Sequence, residues 1–285
     1  MSTVRPAISA HRGGGESAPA GTWEAFNAAL ELPAEYVEFD VRLTRDRNWV
    51  VYHDEHVGVP RSPVRTLDYG ELCETVGYSV PNAIGVMELL AKRAIGHLDL
   101  KENDDEKSIV GPAIDIFGTD GFVVTTENPA SIRRIKAFAP EVRTALSTGN
   151  PVLARSRRVP PRLGSRRFDV RWILGSGADR VALNHQLASD KVLKACRRSR
   201  IGVMLWTVNE PELIARHLAD PRIDVLITDR PQLAARVRAE MAGTRSPSGA
   251  PSITTSTPPG ATGAAAVILE EQTTQNCGEI EVRLT

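Results

Sequence analysis

Nine short runs rich in Val, Ile and Leu recur along residues 1–241, and most are separated by segments of helical period. The runs are 7–12, 36–43, 49–54, 96–101, 122–127, 142–146, 180–185, 203–208 and 224–229. Their composition suits buried strands. Helical stretches are expected at 22–32, 128–139, 186–198, 210–218 and 231–241. In the first, Trp23, Phe26, Ala29 and Leu30 share a face, and Pro129, Pro211 and Pro231 suit first helical turns. Repeated strand–helix units predict an α/β protein with a parallel sheet. The run at 49–54 reads as the hairpin partner of 36–43, across a turn at Asp46, Arg47 and Asn48. About eight strand positions then remain, which favours a TIM (β/α)8 barrel over an open doubly wound sheet. No GxGxxG follows a strand, so the usual dinucleotide fingerprint is missing.

Composition marks where this pattern stops. Residues 242–285 are dominated by Pro, Gly, Ser, Thr and Ala as far as about residue 266, and are expected to form a disordered tail. The more apolar AAAVILEE and GEIEVRLT segments near its end read as a frayed tail or a weak edge strand, or alternatively as a partner-binding peptide. The chain therefore divides into a barrel over 1–241 and a tail over 242–285. Its 35 basic and 35 acidic residues cancel, which gives no reason to expect a nucleic-acid partner. Cys73, Cys196 and Cys277 form no CxxC pair, so neither a zinc knuckle nor a disulfide framework is indicated. The N-terminal apolar run is too short for a signal-peptide core, and no integral membrane segment is expected. The expected location is cytoplasmic.

In a TIM barrel the carboxyl ends of the strands carry the chemistry. The first expected strand ends in His11 and Arg12 before a glycine run, Gly13–Gly15. Glu38 and Asp40 stand two apart on the second strand, so both carboxylates project to one face. Asp99 and Lys101 repeat that spacing on the third. Buried carboxylates are costly unless paired or metal-bound. Salt bridges such as Asp99–Lys101 or Asp40–Arg42 would explain any one of them. Their joint placement asks instead for a cation, and oxygen-only ligands suit Mg²⁺ or Ca²⁺. His11 and His53 end separate strands near this site, and imidazoles of ordinary pKa suit acid–base work. Arg12 and Lys101 add fixed positive charge of the kind that grips phosphate. With no Ser or Cys nucleophile, the set points to phosphoryl chemistry on an ester.

These residues resemble the glycerophosphodiester phosphodiesterase family. The resemblance runs through HRGG at His11, EFDVRLTRD at Glu38, VVYHDEHV at Val50, LDLK at Leu98, LWTVNE at Leu205 and LITDRP at Leu226, and covers most of residues 7–241. It implies a TIM barrel with an insertion after the second His, here about residues 57–90. It implies hydrolysis of a glycerophosphodiester with Mg²⁺ or Ca²⁺. His11 and His53 would be the acid–base pair, Arg12 and Lys101 would hold the phosphate, and Trp206 would lie against the substrate. Glu38, Asp40 and Asp99 would be metal ligands.

The sequence departs from the family at three places. The family has Pro-Glu-Asn-Thr after its HRG segment, and that Glu is a ligand; here the stretch is Pro19, Ala20, Gly21 and Thr22. Glu24, Glu16 or water is left to fill the place. The family's strand-three Glu is Asp99, one methylene shorter. Its serine–aromatic pair after the fourth strand is Thr126 and Glu127.

The leading expectation is a metal-dependent phosphodiesterase giving a phosphomonoester and an alcohol. A variant would form a cyclic phosphate. A rival reading, motivated by Ala20, is a catalytically weakened phosphate-binding protein. Against it stand both histidines, both cations and three carboxylates. The bland reading covers His56, His97 and His217 as surface or packing residues, His185 as a strand end, and Trp23, Trp49 and Trp172 as core. It makes the Arg-rich stretch 155–171 a solvated loop.

Overall fold

The computed structural model describes residues 6–149 and 169–243. The expected tail, from residue 244 onward, and nearly all of the Arg-rich stretch lie outside the described residues.

The barrel strands are β1 (Ala7–Ala10) and β2 (Tyr36–Leu43), then, after the short β3 (Trp49–Val51), β4 (His56–Val57) and β5 (Ser62–Pro63), β6 (Ile95–Leu100), β7 (Phe122–Thr126), β8 (Arg143–Thr148), β9 (Arg180–Asn184), β10 (Gly202–Trp206) and β11 (Val225–Thr228). Parallel pairing runs from β2 through β6 to β11 in chain order, and β1 pairs with both β11 and β2. The sheet is thus a closed, eight-stranded parallel barrel, as expected for a TIM barrel. β3 pairs antiparallel with β2, Val41 opposite Val51, as the turn at Asp46–Asn48 predicts.

Helices lie between most strands: α1 (Trp23–Ala29), α2 (Tyr69–Val76), α3 (Ala83–Leu90), α4 (Glu106–Phe117), α5 (Pro129–Phe138), α6 (Val170–Ser176), α7 (Asp190–Arg198), α8 (Pro211–Leu218) and α9 (Pro231–Gly243). Local chemistry sets their starts. Thr22 accepts the Ala25 amide at 3.3 Å, and Asn128 accepts the Ala130 amide before Pro129. The helix expected from residue 186 begins at Asp190, because Ser189 caps it through the Val192 amide while residues 185–187 make a separate 3₁₀ turn.

Register shows which side chains enter the barrel. Glu38 stands level with His97 and His97 with Val123; Asp40 stands level with Asp99 and Asp99 with Thr125. Partners at one level of a parallel sheet face the same side, so these residues share the barrel interior with the apolar group of Tyr36, Val123, Ala145, Met204, Val225 and Ile227. The alternate residues Val37, Phe39, Val41, Leu98 and Leu100 pack outward beneath the helices. Both faces are therefore buried, which is why the strands read as near-continuous apolar runs.

The excursion after β2 differs from its expected span. α3 packs against α1, α4 and β6, in the place of a regular barrel helix. The true insertion is the part from β3 to α2, with its own small core of Val50, Val57, Val64, Leu72 and Val80. His97 and His217 are buried, at 2% and 6% exposure.

Candidate active site

The carboxyl-terminal mouth of the barrel holds a cleft of about 580 Å³, and every sequence-expected site residue except Glu24 and Glu16 lines it. His11 follows β1 directly. Arg12 adopts a left-handed backbone, φ 51 and ψ 38, and Gly13 follows at φ 81. A Cβ on Gly13 would lie 2.9 Å from the Ala25 carbonyl carbon, so the glycine allows α1 to close on this turn. The turn aims the Arg12 amide at Glu38 Oε2, 2.7 Å away.

Glu38, Asp40 and Asp99 each present an oxygen, and the three lie within 4.8 Å of one another. The first two are 2% exposed. Lys101 Nζ bridges Asp99 Oδ2 at 2.6 Å and Asp40 Oδ1 at 2.9 Å. Arg12 Nε lies 2.9 Å from Asp40 Oδ2 but off the line a hydrogen bond needs, so its N–H has no protein acceptor among the described residues. Arg42 instead reaches Glu102 and the His53 carbonyl, which removes the Asp40–Arg42 alternative.

Two cations thus face three carboxylates, and one negative charge is left over. It falls hardest on Glu38. Burial, and then the neighbouring Asp40 charge, push its carboxyl up to about 8. Asp40 is buried too, but Lys101 and Arg12 outweigh the desolvation and hold it at about 2. Three clustered oxygen donors with no nitrogen or sulfur among them fit a hard divalent cation.

The two imidazoles stand on either side. His11 Nδ1 is 2.6 Å from Asp229 Oδ1, and its Nε2 is 3.9 Å from Glu38 Oε2. Burial opposes a charge on His11, yet Glu38 and Asp229 prevail and raise its pKa. His53 Nδ1 lies 2.7 Å from Asp54 Oδ1, and desolvation lowers its pKa despite the pull of Asp40. Trp206 forms a wall of the cleft, its Nε1–H donated to the Ala182 carbonyl at 2.9 Å.

Glu24 is not brought to this group. It is exposed on α1, and Glu16 is engaged with the Gln232 amide and Arg230 at the start of α9. Among the described residues, no fourth carboxylate joins the three. Sequence reasoning passed over Asp229, Asn209 and His97 as site residues. Asp229 directly follows β11 and Asn209 lies three residues beyond β10, and that position was the available signal. Asn209 donates to Asp229 Oδ2 at 2.6 Å and accepts its amide at 3.0 Å. His97 carried no signal beyond its even spacing with Asp99. Thr125, Glu127, Ser147 and Thr207 also line the cleft.

Residues 11–233 match the model of the Glycerophosphoryl diester phosphodiesterase family. A glycerophosphodiester phosphodiesterase of Caldanaerobacter subterraneus is 23% identical over 252 residues, covering 80% of this chain and 96% of that protein. Among solved structures, a glycerophosphodiester phosphodiesterase from Parabacteroides distasonis superposes with a TM-score of 0.68 at 18% identity, over 84% of this chain and 98% of that one. An Oleispira antarctica phosphodiesterase in complex with the product sn-glycerol-3-phosphate gives 0.66 at 17% identity, over 82% and 96%. The fold and the family match together define a phosphoric diester hydrolase built on a TIM barrel. The chain belongs to the glycerophosphoryl diester phosphodiesterase family.

Proposed function

We propose that the chain hydrolyses a glycerophosphodiester to a phosphomonoester and an alcohol, with His11 and His53 as the acid–base pair and Mg²⁺ or Ca²⁺ held by Glu38, Asp40 and Asp99. The observation that carries this reading is the carboxylate trio within 4.8 Å, lying in one cleft with both imidazoles and both cations. A bound divalent cation would polarise a phosphoryl oxygen and lower the pKa of a hydroxyl. The residues of the chain supply the rest. Asp229 occupies His11 Nδ1, which leaves Nε2 to exchange a proton in the cleft. One imidazole takes the proton of the attacking water while the other protonates the departing alkoxide. Arg12, whose Nε–H is not spent on a protein acceptor, and Lys101 offset the charge of the diester. Trp206 flanks the alcohol.

The activity is assigned to residues 1–241, with 242–285 dispensable. Among the described residues no helix is long and apolar enough to cross a membrane. A cytoplasmic setting is part of this proposal. The test is turnover of glycerophosphodiesters followed by ³¹P NMR. We expect a phosphomonoester as product, loss of turnover with EDTA and its return with Mg²⁺ or Ca²⁺. His11→Ala and His53→Ala should each lower kcat by about 10²–10⁴-fold. A cyclic phosphate product, or full activity in EDTA, would refute the corresponding part of the reading.

A further inference from the structure

Beside the carboxylates, a chain of buried polar side chains crosses the barrel interior. Ser9 Oγ lies 3.2 Å from His97 Nδ1, and His97 Nε2 lies 3.2 Å from Thr125 Oγ1. Thr125 Oγ1 in turn lies 2.9 Å from Asp99 Oδ1; the competing acceptor, the Leu98 carbonyl, is at 3.4 Å. Ser9, His97 and Thr125 are all at or below 3% exposure. Three strands, β1, β6 and β7, contribute to it.

The protons of this chain can be assigned from one end. Asp99 accepts at both oxygens, from Lys101 Nζ at Oδ2 and from the Thr125 hydroxyl at Oδ1. Thr125 has one hydroxyl proton, and it goes to Asp99 Oδ1. Thr125 Oγ1 must then accept from His97, which requires the proton on Nε2. A neutral imidazole so protonated has a lone pair at Nδ1, and that accepts the Ser9 hydroxyl. Every bond holds one proton, all running toward Asp99. A buried charge on the imidazole is not needed to satisfy any partner.

We propose that Ser9, His97 and Thr125 form a directional hydrogen-bond relay in which His97, locked as the Nε2–H tautomer, is the positioning residue for Asp99. The reason lies in length. Asp99 is a short carboxylate, and its two oxygens are held from opposite sides by Lys101 and Thr125. Fixing Oδ1 from the neighbouring strand β7 sets the torsion that presents the carboxylate to Glu38 and Asp40. Partners of this kind around a ligating carboxylate typically change metal affinity about 10–100-fold. This inference rests on the metal reading above, with Asp99 as a ligand.

The experiment has two arms on the full chain. In the metal-free protein, ¹⁵N–¹H correlation of the imidazole should show His97 neutral and protonated at Nε2. An Nδ1–H tautomer or an imidazolium overturns the relay whatever the metal does. In the second arm, Mg²⁺ and Ca²⁺ affinities are measured by calorimetry, with thermal midpoints taken in parallel. Thr125→Val and His97→Leu should weaken binding about 10–100-fold. Thr125→Ser, which keeps the hydroxyl, and His97→Gln, whose amide can donate toward Thr125, should remain near the parent. Parent-like affinity in folded Thr125→Val refutes the positioning role alone. If the parent chain itself binds neither ion, the metal reading fails and the positioning role falls with it, while the tautomer spectrum still decides whether the relay exists.

Discussion

His11 Nδ1 and Asp229 Oδ1 meet at 2.6 Å across the seam where β1 and β11 close the barrel, although 218 positions separate them in the chain. Asn209 holds the other Asp229 oxygen at 2.6 Å. The contact selects the Nδ1–H form of the ring and directs Nε2 into the cleft. Asp229→Asn should therefore lower kcat by about 10²-fold, the low end of what a positioned acid or base supplies, with KM little changed. In a His11→Ala background the same change should cost almost nothing more, because the two act as a unit. Fully additive losses would show that Asp229 acts elsewhere.

Glu24 is exposed and apart from the carboxylate trio. Glu24→Ala should leave Mg²⁺ affinity unchanged and stability within about 0.5 kcal/mol, as for surface substitutions generally. A tenfold loss of affinity by calorimetry would place it among the ligands after all.

Gly13 takes φ 81 with Ala25 backbone 2.9 Å from where a Cβ would stand. Gly13→Ala meets both penalties at once, a left-handed backbone costing about 1–2 kcal/mol and an overlap that must shift α1. It should lower the thermal midpoint, and by moving the Arg12 amide off Glu38 it should also lower kcat. A variant with parental midpoint and turnover would mean that the turn is more compliant than its geometry indicates.

Glu106 on α4 accepts from Arg134 Nε at 2.8 Å and Nη2 at 2.6 Å. Burial would raise its pKa, but the hydrogen bonds from Arg134 and Ser131 prevail and lower it to about 2. A depressed folded-state pKa means stabilisation that is complete above the unfolded value of about 4.5 and is lost as pH falls toward 2. Arg134 is 38% exposed, so the contribution is discounted to about 1–2 kcal/mol. The gap in unfolding free energy between the parent and Glu106→Gln should be widest at pH 6–7 and should narrow steadily below pH 4.5. A gap constant from pH 7 to 3 would exclude the ion pair as its source.

The family match ends at residue 233 and α9 at Gly243. Removing residues 247–285 should leave kcat/KM and the thermal midpoint essentially unchanged. A drop of several degrees would show that the apolar segments near the C-terminus are part of the folded unit.

Much of the barrel was legible in the residues, because parallel strands buried on both faces must be written as apolar runs. Strand-end polar residues such as His11, Glu38, Asp40, His53, Asp99 and Lys101 stood out against those runs. Their spacing of two already placed Glu38 with Asp40 and Asp99 with Lys101 on common faces. What was not legible was pairing between strands. Asp40 might have been matched with Arg42 by proximity in sequence, but the structure gives it Lys101 and Arg12. Glu24 lay at a helical spacing from the vacancy at Ala20, yet α1 turns it to solvent.

The sequence by itself determined the parallel α/β barrel, the end of the barrel that is polar, and the acidic, imidazole and cationic residues available there. These are local consequences of period, burial and composition. Only the tertiary structure decided which groups share a proton or a charge: His11 with Asp229, Lys101 between Asp40 and Asp99, and His97 threaded between Ser9 and Thr125. Those contacts depend on strand register and on closure of β1 against β11. A one-residue slip of any of these strands would turn the inward side chains it carries to the opposite face.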